Sequence, residues 1–314
     1  MVTTTDSIRN AMTVDVEDYF HAGAVAGLAP HGAWPGMPSR IERNIDTVLA
    51  LLDQHQVRAT FFILGWIARR HPAMVRAIGA AGHEIASRGY ANDKASSQTR
   101  VQFRRDILRS KGVLEDLCGA AVLGYRAPAC SIGPQHRWAL DTLYHSGYRY
   151  SSSSYPLLRR RPADAPRFAC FPAGPSGILE LPLSTARVFG CNLPAGGGSG
   201  FRLLPYALSR ALLRHVNRTE GQPAVFGFSA WELDPGQPRI PGMPLAARLG
   251  HYANLGRTEA RLLALAGQFR WGSIDDVFPL LPGAAPPVFR SQPRPRWHGF
   301  TRSEAAVQTV RSRS

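Results

Sequence analysis

The sequence predicts an α/β protein built on one parallel sheet that curls towards an incomplete barrel. Short apolar runs alternate with helix-period stretches along most of the 314 residues, the pattern of repeated strand–helix units. The runs are apolar throughout, as at residues 59–64, so both faces are expected to be covered. Several break into polar clusters at their C-terminal ends, the edge where α/β sheets bind ligands. About seven or eight runs of this kind suit a barrel that does not close.

Residues 11–20 begin as a strand and break into Asp15-Val16-Glu17-Asp18. After a Gly/Pro-rich loop over 27–38, Ser39 with Glu42 three residues on has the form of a capping box. Ile41, Ile45, Val48, Leu49 and Leu52 then recur at helical spacing. A buried strand follows at 59–64, and Pro72 opens a helix carrying Met74, Val75 and Ile78 that stops at Gly79 or Gly82. The next strand runs out through residues 83–93, a loop with Arg88 and Asn92 four residues apart. Residues 99–118 are a periodic helix ended by Gly119. Residues 122–130 read as a strand carrying Gly124-Tyr125-Arg126-Ala127-Pro128, followed by a helix over 134–146 and a strand leading into 150–156. The Arg- and Pro-rich residues 157–177 read as irregular, and 178–188 as a further strand. The glycine run 195–200 lacks the lysine and spacing of a P-loop and reads as a turn. A helix over 205–217 leads to a strand at 224–228 and the cluster Ser229-Ala230-Trp231-Glu232-Leu233-Asp234-Pro235. A long Pro/Gly linker then precedes helices over 257–268 and 273–278.

Composition narrows the function classes. Hydrophobic residues make up 44% and charged residues 19%, as in a globular protein. No run approaches the roughly 18 apolar residues of a membrane span, and the first ten residues lack a signal-peptide pattern. The expected location is cytoplasmic, with a peripheral position at the inner face of the membrane as a variant. The formal charge is +15, from 37 basic and 22 acidic residues, and only Lys94 and Lys111 are lysines. An anionic partner is one reading of that charge; GC-rich codon usage, which enriches Ala, Gly, Pro and Arg together, is the other. No aromatic-rich basic patch supports nucleic acid. Cys118, Cys130, Cys170 and Cys191 show no paired or zinc-like spacing and read as buried thiols.

Four clusters end strands on one presumed face: 15–18, 88–92, 126–131 and 229–234. In order and spacing they resemble the NodB-homology polysaccharide deacetylases, carbohydrate esterase family four. Thr13-Val14-Asp15-Val16-Glu17-Asp18-Tyr19-Phe20-His21 resembles the first motif of the branch found in exosortase-linked exopolysaccharide clusters. Gly124 to Pro128 resembles its third and Trp231-Glu232-Leu233-Asp234-Pro235 the tail of its fifth. His251-Tyr252-Ala253-Asn254-Leu255 with Arg257-Thr258-Glu259 resembles its C-terminal signature. The resemblance covers roughly residues 11–280 and implies a NodB-like irregular (β/α) barrel over 1–235 and a C-terminal helical extension packed on it over 236–281; the Pro-, Arg- and Ser-rich composition from Pro282 onward predicts a basic, disordered tail over 282–314. It further implies removal of acetyl groups from N-acetylated sugars by a divalent metal, usually zinc, that polarises the amide and lowers the pKa of bound water towards ~7.

Carried over residue by residue, the resemblance makes Asp15 the general base and Arg126 its partner. Asp18, or Glu17, matches the acidic metal ligand. The two histidines of the H-x-x-x-H metal motif fall on Arg88 and Asn92, the leaving-group acid on Ser229, and the aspartate usual near Tyr150 on Ser151. Arg88 repels a cation and cannot be deprotonated, and Ser229 cannot act as an acid near neutral pH. The expectation is therefore a protein with no metal, in which the Arg88 guanidinium stands beside Asp15, Glu17 and Asp18 in the metal's place. Tyr19, Tyr125, Pro128 and Trp231 offer surfaces for a sugar ring, with core packing as the alternative for the aromatics. His21 and Asp93 can join a rearranged site or simply belong to their loops, and a thiol mechanism through Cys130 lacks a histidine partner. The expected partners are a glycan or lipid-linked saccharide, a partner enzyme of polysaccharide synthesis, and acidic surfaces met weakly by the basic tail. Two functions follow: a deacetylase, by family, and a non-catalytic glycan- or partner-binding relative, by residues.

Overall fold

The computed structural model describes residues 8–25, 27–157, 166–170 and 177–279. The basic tail and most of the irregular segment after residue 157 lie outside them. The named strands of the main sheet all pair in parallel. Its strands are β1 (Arg9–Val16), β2 (Thr60–Ile63), β3 (Glu84–Ser87), β4 (Gly124–Tyr125), β5 (Tyr150–Ser151) and β6 (Leu179–Glu180), laid down in sequence order. On the far side β1 pairs with β9 (Val225–Ser229), and its first residues pair with β10 (Arg270–Gly272). The run from β9 through β1 to β6 is the curled half-barrel that the apolar strands predict.

Most intervening helices follow the sequence pattern: α1 (Ile41–Gln54), α3 (Pro72–Ala80), α4 (Arg100–Cys118), α5 (Arg137–His145), α7 (Tyr206–Arg218) and α9 (Leu255–Ala266). Thr99 caps α4 in a reciprocal box with Gln102, and Gly119 ends it in the left-handed conformation. α2 (Gly65–Arg70), a short helix directly after β2, precedes α3. One continuous apolar core joins the inner strands to the helices, with Val14, Phe61, Ile63, Phe103, Leu114, Leu143 and Phe226 fully buried or nearly so. A second cluster, containing Tyr19, Phe20, Val25, Trp34, Trp231, Ile240, Met243 and Leu255, joins the loop after β1 to the C-terminal region. No helix among the described residues is long and apolar enough to cross a membrane.

The structure corrects several element boundaries. The single strand expected over 178–188 divides into β6 and the first arm of an antiparallel hairpin, β7 (Thr185–Val188) and β8 (Cys191–Pro194). The glycine run is not only a turn, because it opens α6 (Gly198–Leu203). The supposed linker contains α8 (Leu245–Tyr252), and β10 precedes the last helix, α10 (Ile274–Val277). Ser39 does not cap α1. Arg40 stands at that position, and the Ser39 hydroxyl instead donates to Asp18 at 2.8 Å.

Candidate functional site

The parallel register brings the polar strand ends together. Asp15, one residue before β1 ends, lies beside Phe62 on one neighbour and Ser229 on the other. Arg88, Arg126 and Ser152 each follow the last residue of a strand. Each extends the ladder by one backbone bond: Arg88 N to Ile63 O at 3.0 Å, Arg126 N to Ser87 O at 2.9 Å, and Ser152 N to Tyr125 O at 2.8 Å. Successive strands therefore present equivalent positions to the same edge.

Two arginines hold the Asp15 carboxylate. Arg88 Nη1 donates to Oδ2 at 2.7 Å, and Arg126 Nη1 donates to Oδ1 at 3.0 Å. Arg126 is fixed in turn by Thr13 Oγ1, the Ser152 hydroxyl and the Ser152 carbonyl, and its guanidinium lies 4.1 Å over the Phe62 ring. Arg88 also reaches Glu17 Oε2, from Nη2 at 3.0 Å and Nε at 3.2 Å. The other Glu17 oxygen accepts from Ser229 Oγ at 2.7 Å and Trp231 Nε1 at 3.2 Å. Burial pushes the Glu17 carboxyl up, and Arg88, Ser229 and Trp231 draw it back without cancelling that effect. For Arg88 the carboxylates win over burial, and its pKa is held above the ordinary value. Of the four charged residues, Asp15 keeps the most contact with solvent.

Asp18 is not part of the cluster on Arg88. Its carboxylate accepts from Ser39 Oγ, Arg40 N and Tyr19 N, and so ties the loop after β1 to the start of α1. Of the two acidic residues left open by the sequence, Glu17 faces Arg88. Asn92 turns away as well: its Nδ2 donates to the His21 carbonyl at 2.8 Å from a left-handed backbone conformation. His21 accepts the Asp18 N–H through Nδ1, and burial lowers its pKa to about 3, so it stays a neutral loop residue. Asp93 reaches out to His31 at 3.4 Å. Burial pushes the Cys130 thiol up to about 11, which rules against a thiolate nucleophile.

The aromatic faces expected to stack on a sugar are spent in packing. Tyr19 and Tyr125 are 1% exposed, and Trp231 lies between Glu17 and the His251 ring, stacked on the latter at 4.3 Å and 9°. Pro128 is buried at the start of a 3-10 turn whose next residues, Ala129 and Cys130, both have left-handed φ. Sequence reasoning missed Glu180, buried beneath the β5 end and accepting from Ser153 N and Ser154 Oγ. A lone carboxylate within the apolar stretch Ile178–Leu183 was the available signal.

The donor set does not fit a divalent cation. A guanidinium already occupies the space between the two carboxylates. Among the described residues no group of three or more His, Cys, Asp or Glu side chains is placed to hold a metal ion.

A parallel half-barrel with arginines and carboxylates gathered at the C-terminal strand ends defines an α/β barrel with a charged site at its mouth. Comparison with known proteins agrees. A family model described as Polysaccharide deacetylase matches residues 35–149, and one described as a domain of unknown function, DUF3473, matches 152–279. A peptidoglycan-N-acetylglucosamine deacetylase of Bacillus cereus is 33% identical over 95 residues, covering 30% of this chain and 34% of that protein. A chitooligosaccharide deacetylase of Sinorhizobium fredii is 34% identical over 82 residues, 26% of this chain and 38% of that one. The match thus spans little more than a third of either relative. A crystal structure named for a polysaccharide deacetylase from Mycobacterium smegmatis superposes with a TM-score of 0.56 at 19% identity, over 88% of this chain and 91% of that one, and shows the shared fold. The chain thus carries a polysaccharide deacetylase domain of the NodB type, carbohydrate esterase family four, over residues 35–149, followed by the DUF3473 region over 152–279.

Proposed function

We propose that this family member has exchanged metal-dependent deacetylation for recognition of an N-acetylated glycan, or its lipid-linked precursor, in cytoplasmic exopolysaccharide metabolism. A partner enzyme of polysaccharide synthesis would act on what it holds. The observation that carries the reading is the Arg88 guanidinium bonded to both Asp15 and Glu17. It supplies the positive charge that the retained carboxylates need and blocks a cation from the same place. Ser229, hydrogen-bonded to Glu17, has no titratable proton to give a leaving amine near neutral pH. The B. cereus and S. fredii relatives, named for peptidoglycan N-acetylglucosamine and chitooligosaccharides, support an N-acetylated sugar as the ligand class.

Metal analysis of the purified protein, combined with acetate release from N-acetylglucosamine oligomers, tests this directly. The expected result is substoichiometric metal and no acetate, with saturable oligomer binding by calorimetry. Stoichiometric zinc with turnover would overturn it. The triple variant Arg88→His, Asn92→His, Ser229→His is expected to gain zinc affinity, since Asp15 and Glu17 remain in place.

A further inference from the structure

The C-terminal region carries an apolar face that no described part of the protein covers. α8 turns Ala247, His251 and Tyr252 inward, towards the cluster containing Trp231 and Ile240. Outward it leaves Leu245 and Leu249, one turn apart, at 63% and 60% exposure. Leu28, 43% exposed, lies beside the approach to this helix: its Cδ2 is 3.7 Å from where a side chain on Gly242 would begin. Pro241 and Pro244 are exposed in the same approach.

The charge on this face has one sign. Arg248, between the two leucines on α8, and Arg239 line a pocket of about 530 Å³ with Ile240, Met243 and Tyr252. Arg239 lies 4.1 Å over the Tyr252 ring. No carboxylate is available nearby in sequence to pair with either, because the segments 19–41 and 235–258 contain no Asp or Glu. Exposed leucines on a short helix, bordered by arginines without acidic neighbours, gain little in water. They gain at a boundary where an apolar layer meets phosphates.

We propose that this face docks on an anionic lipid bilayer, with Leu28, Leu245 and Leu249 entering the acyl boundary and Arg239 and Arg248 on the lipid phosphates. Leucine burial in a fluid layer needs no matching pocket, and guanidinium forks suit phosphate oxygens. The inference stands apart from the question of whether the barrel hydrolyses anything.

Co-sedimentation of the full chain with vesicles of phosphatidylcholine and phosphatidylglycerol (7:3), and with phosphatidylcholine alone, tests it at 0.1 M salt. The protein is expected to partition onto the anionic vesicles only. Arg239→Gln with Arg248→Gln should weaken partitioning about 30-fold, from about fivefold for each arginine. Leu245→Ser with Leu249→Ser should weaken it by about tenfold or more. Arg104→Gln with Arg105→Gln on α4 removes the same charge elsewhere and should leave partitioning within about twofold. The substituted side chains are exposed, so unchanged thermal melts will show that each variant folds. Three results would overturn the proposal: no binding by the natural chain, equal weakening by the α4 control, or binding that survives the α8 substitutions and is therefore carried by another segment such as 282–314. Retention on immobilised polyglutamate without binding to vesicles would assign the face to an acidic polypeptide instead and overturn the lipid reading.

Discussion

β3 has a charged side chain at each end, and the two are held by opposite means. Arg88, just past the C-terminal end, is paired with two carboxylates. Glu84, at the N-terminal end, is held by neutral donors among the described residues. It accepts from Thr60 Oγ1 and the Tyr150 hydroxyl, each at 2.6 Å, and from the Asp275 backbone N–H at 3.2 Å. Arg58, also at this end, pairs with Asp275 and Asp276 rather than with Glu84. Burial consequently pushes Glu84 from the ordinary 4.5 to about 7. Pairing by full charges makes the upper end intolerant of losing a partner, whereas solvation by dipoles makes the lower end responsive to pH.

The largest effect is expected at the upper end. Arg88→Met leaves Asp15 with Arg126 but strips Glu17 of the cation paired with it, so urea unfolding should show a loss of about 3–5 kcal/mol. Adding Glu17→Gln should recover much of that loss, because the remaining Ser229 and Trp231 donors then face a neutral acceptor. A loss below about 1 kcal/mol for Arg88→Met would break the contrast, since a pair on the surface is worth no more than that.

The sequence made this upper end more legible than the lower one. Continuous apolar strands reveal a parallel sheet, and a parallel sheet places successive strand ends on one edge, so Asp15, Arg88 and Arg126 could be brought together without knowing a single contact. Choosing between Glu17 and Asp18 was beyond spacing alone. The residues are adjacent, and the side chain that faces inward depends on where the 3-10 turn begins. The signal lay in Asp18 with His21, at capping-box separation, which fixes Asp18 as the cap. Ser39 carried a capping signal too, but Asp18 offered its hydroxyl a buried acceptor, and tertiary contact overrode the local pattern. α8 was obscured by Pro238, Pro241, Pro244 and Gly242 and by its outward leucines, which give no inward-facing helical period. The Glu84 cluster draws on β2, β3, β5 and α10, distant segments with no shared motif.

At the lower end Glu84→Gln should change the pH dependence of stability. The folded pKa is raised, so the native state holds the proton more tightly than the unfolded chain between pH 4.5 and about 7. That stabilisation is complete below the unfolded value and is lost as pH rises through the folded one. Removing the titration should flatten the profile, changing the difference between variant and natural protein by roughly 1–3 kcal/mol between pH 5 and 8 in favour of the variant at high pH. Denaturant midpoints across that range will measure it. A constant difference at every pH would mean that Glu84 does not titrate in this window.

Tyr150→Phe should act on the same profile with the opposite sign and a smaller size. The ring is held in place by the absence of a side chain on Gly124, where a Cβ would stand 2.1 Å from the Tyr150 ring carbon Cζ and from its hydroxyl oxygen. Phenylalanine therefore keeps the packing and deletes only the donor to Glu84. Below pH 5 the acceptor is a neutral acid, and the loss should be about 1 kcal/mol; above pH 7 it is a carboxylate, and the loss should approach about 2 kcal/mol. Without that donor the Glu84 pKa moves further up, so stability falls more steeply with rising pH than in the natural protein. The double variant Glu84→Gln, Tyr150→Phe discriminates further. If the hydroxyl acts through the carboxylate, the steepening vanishes in the double variant and leaves a loss independent of pH. If the steepening persists, the hydroxyl does not act through the Glu84 carboxylate.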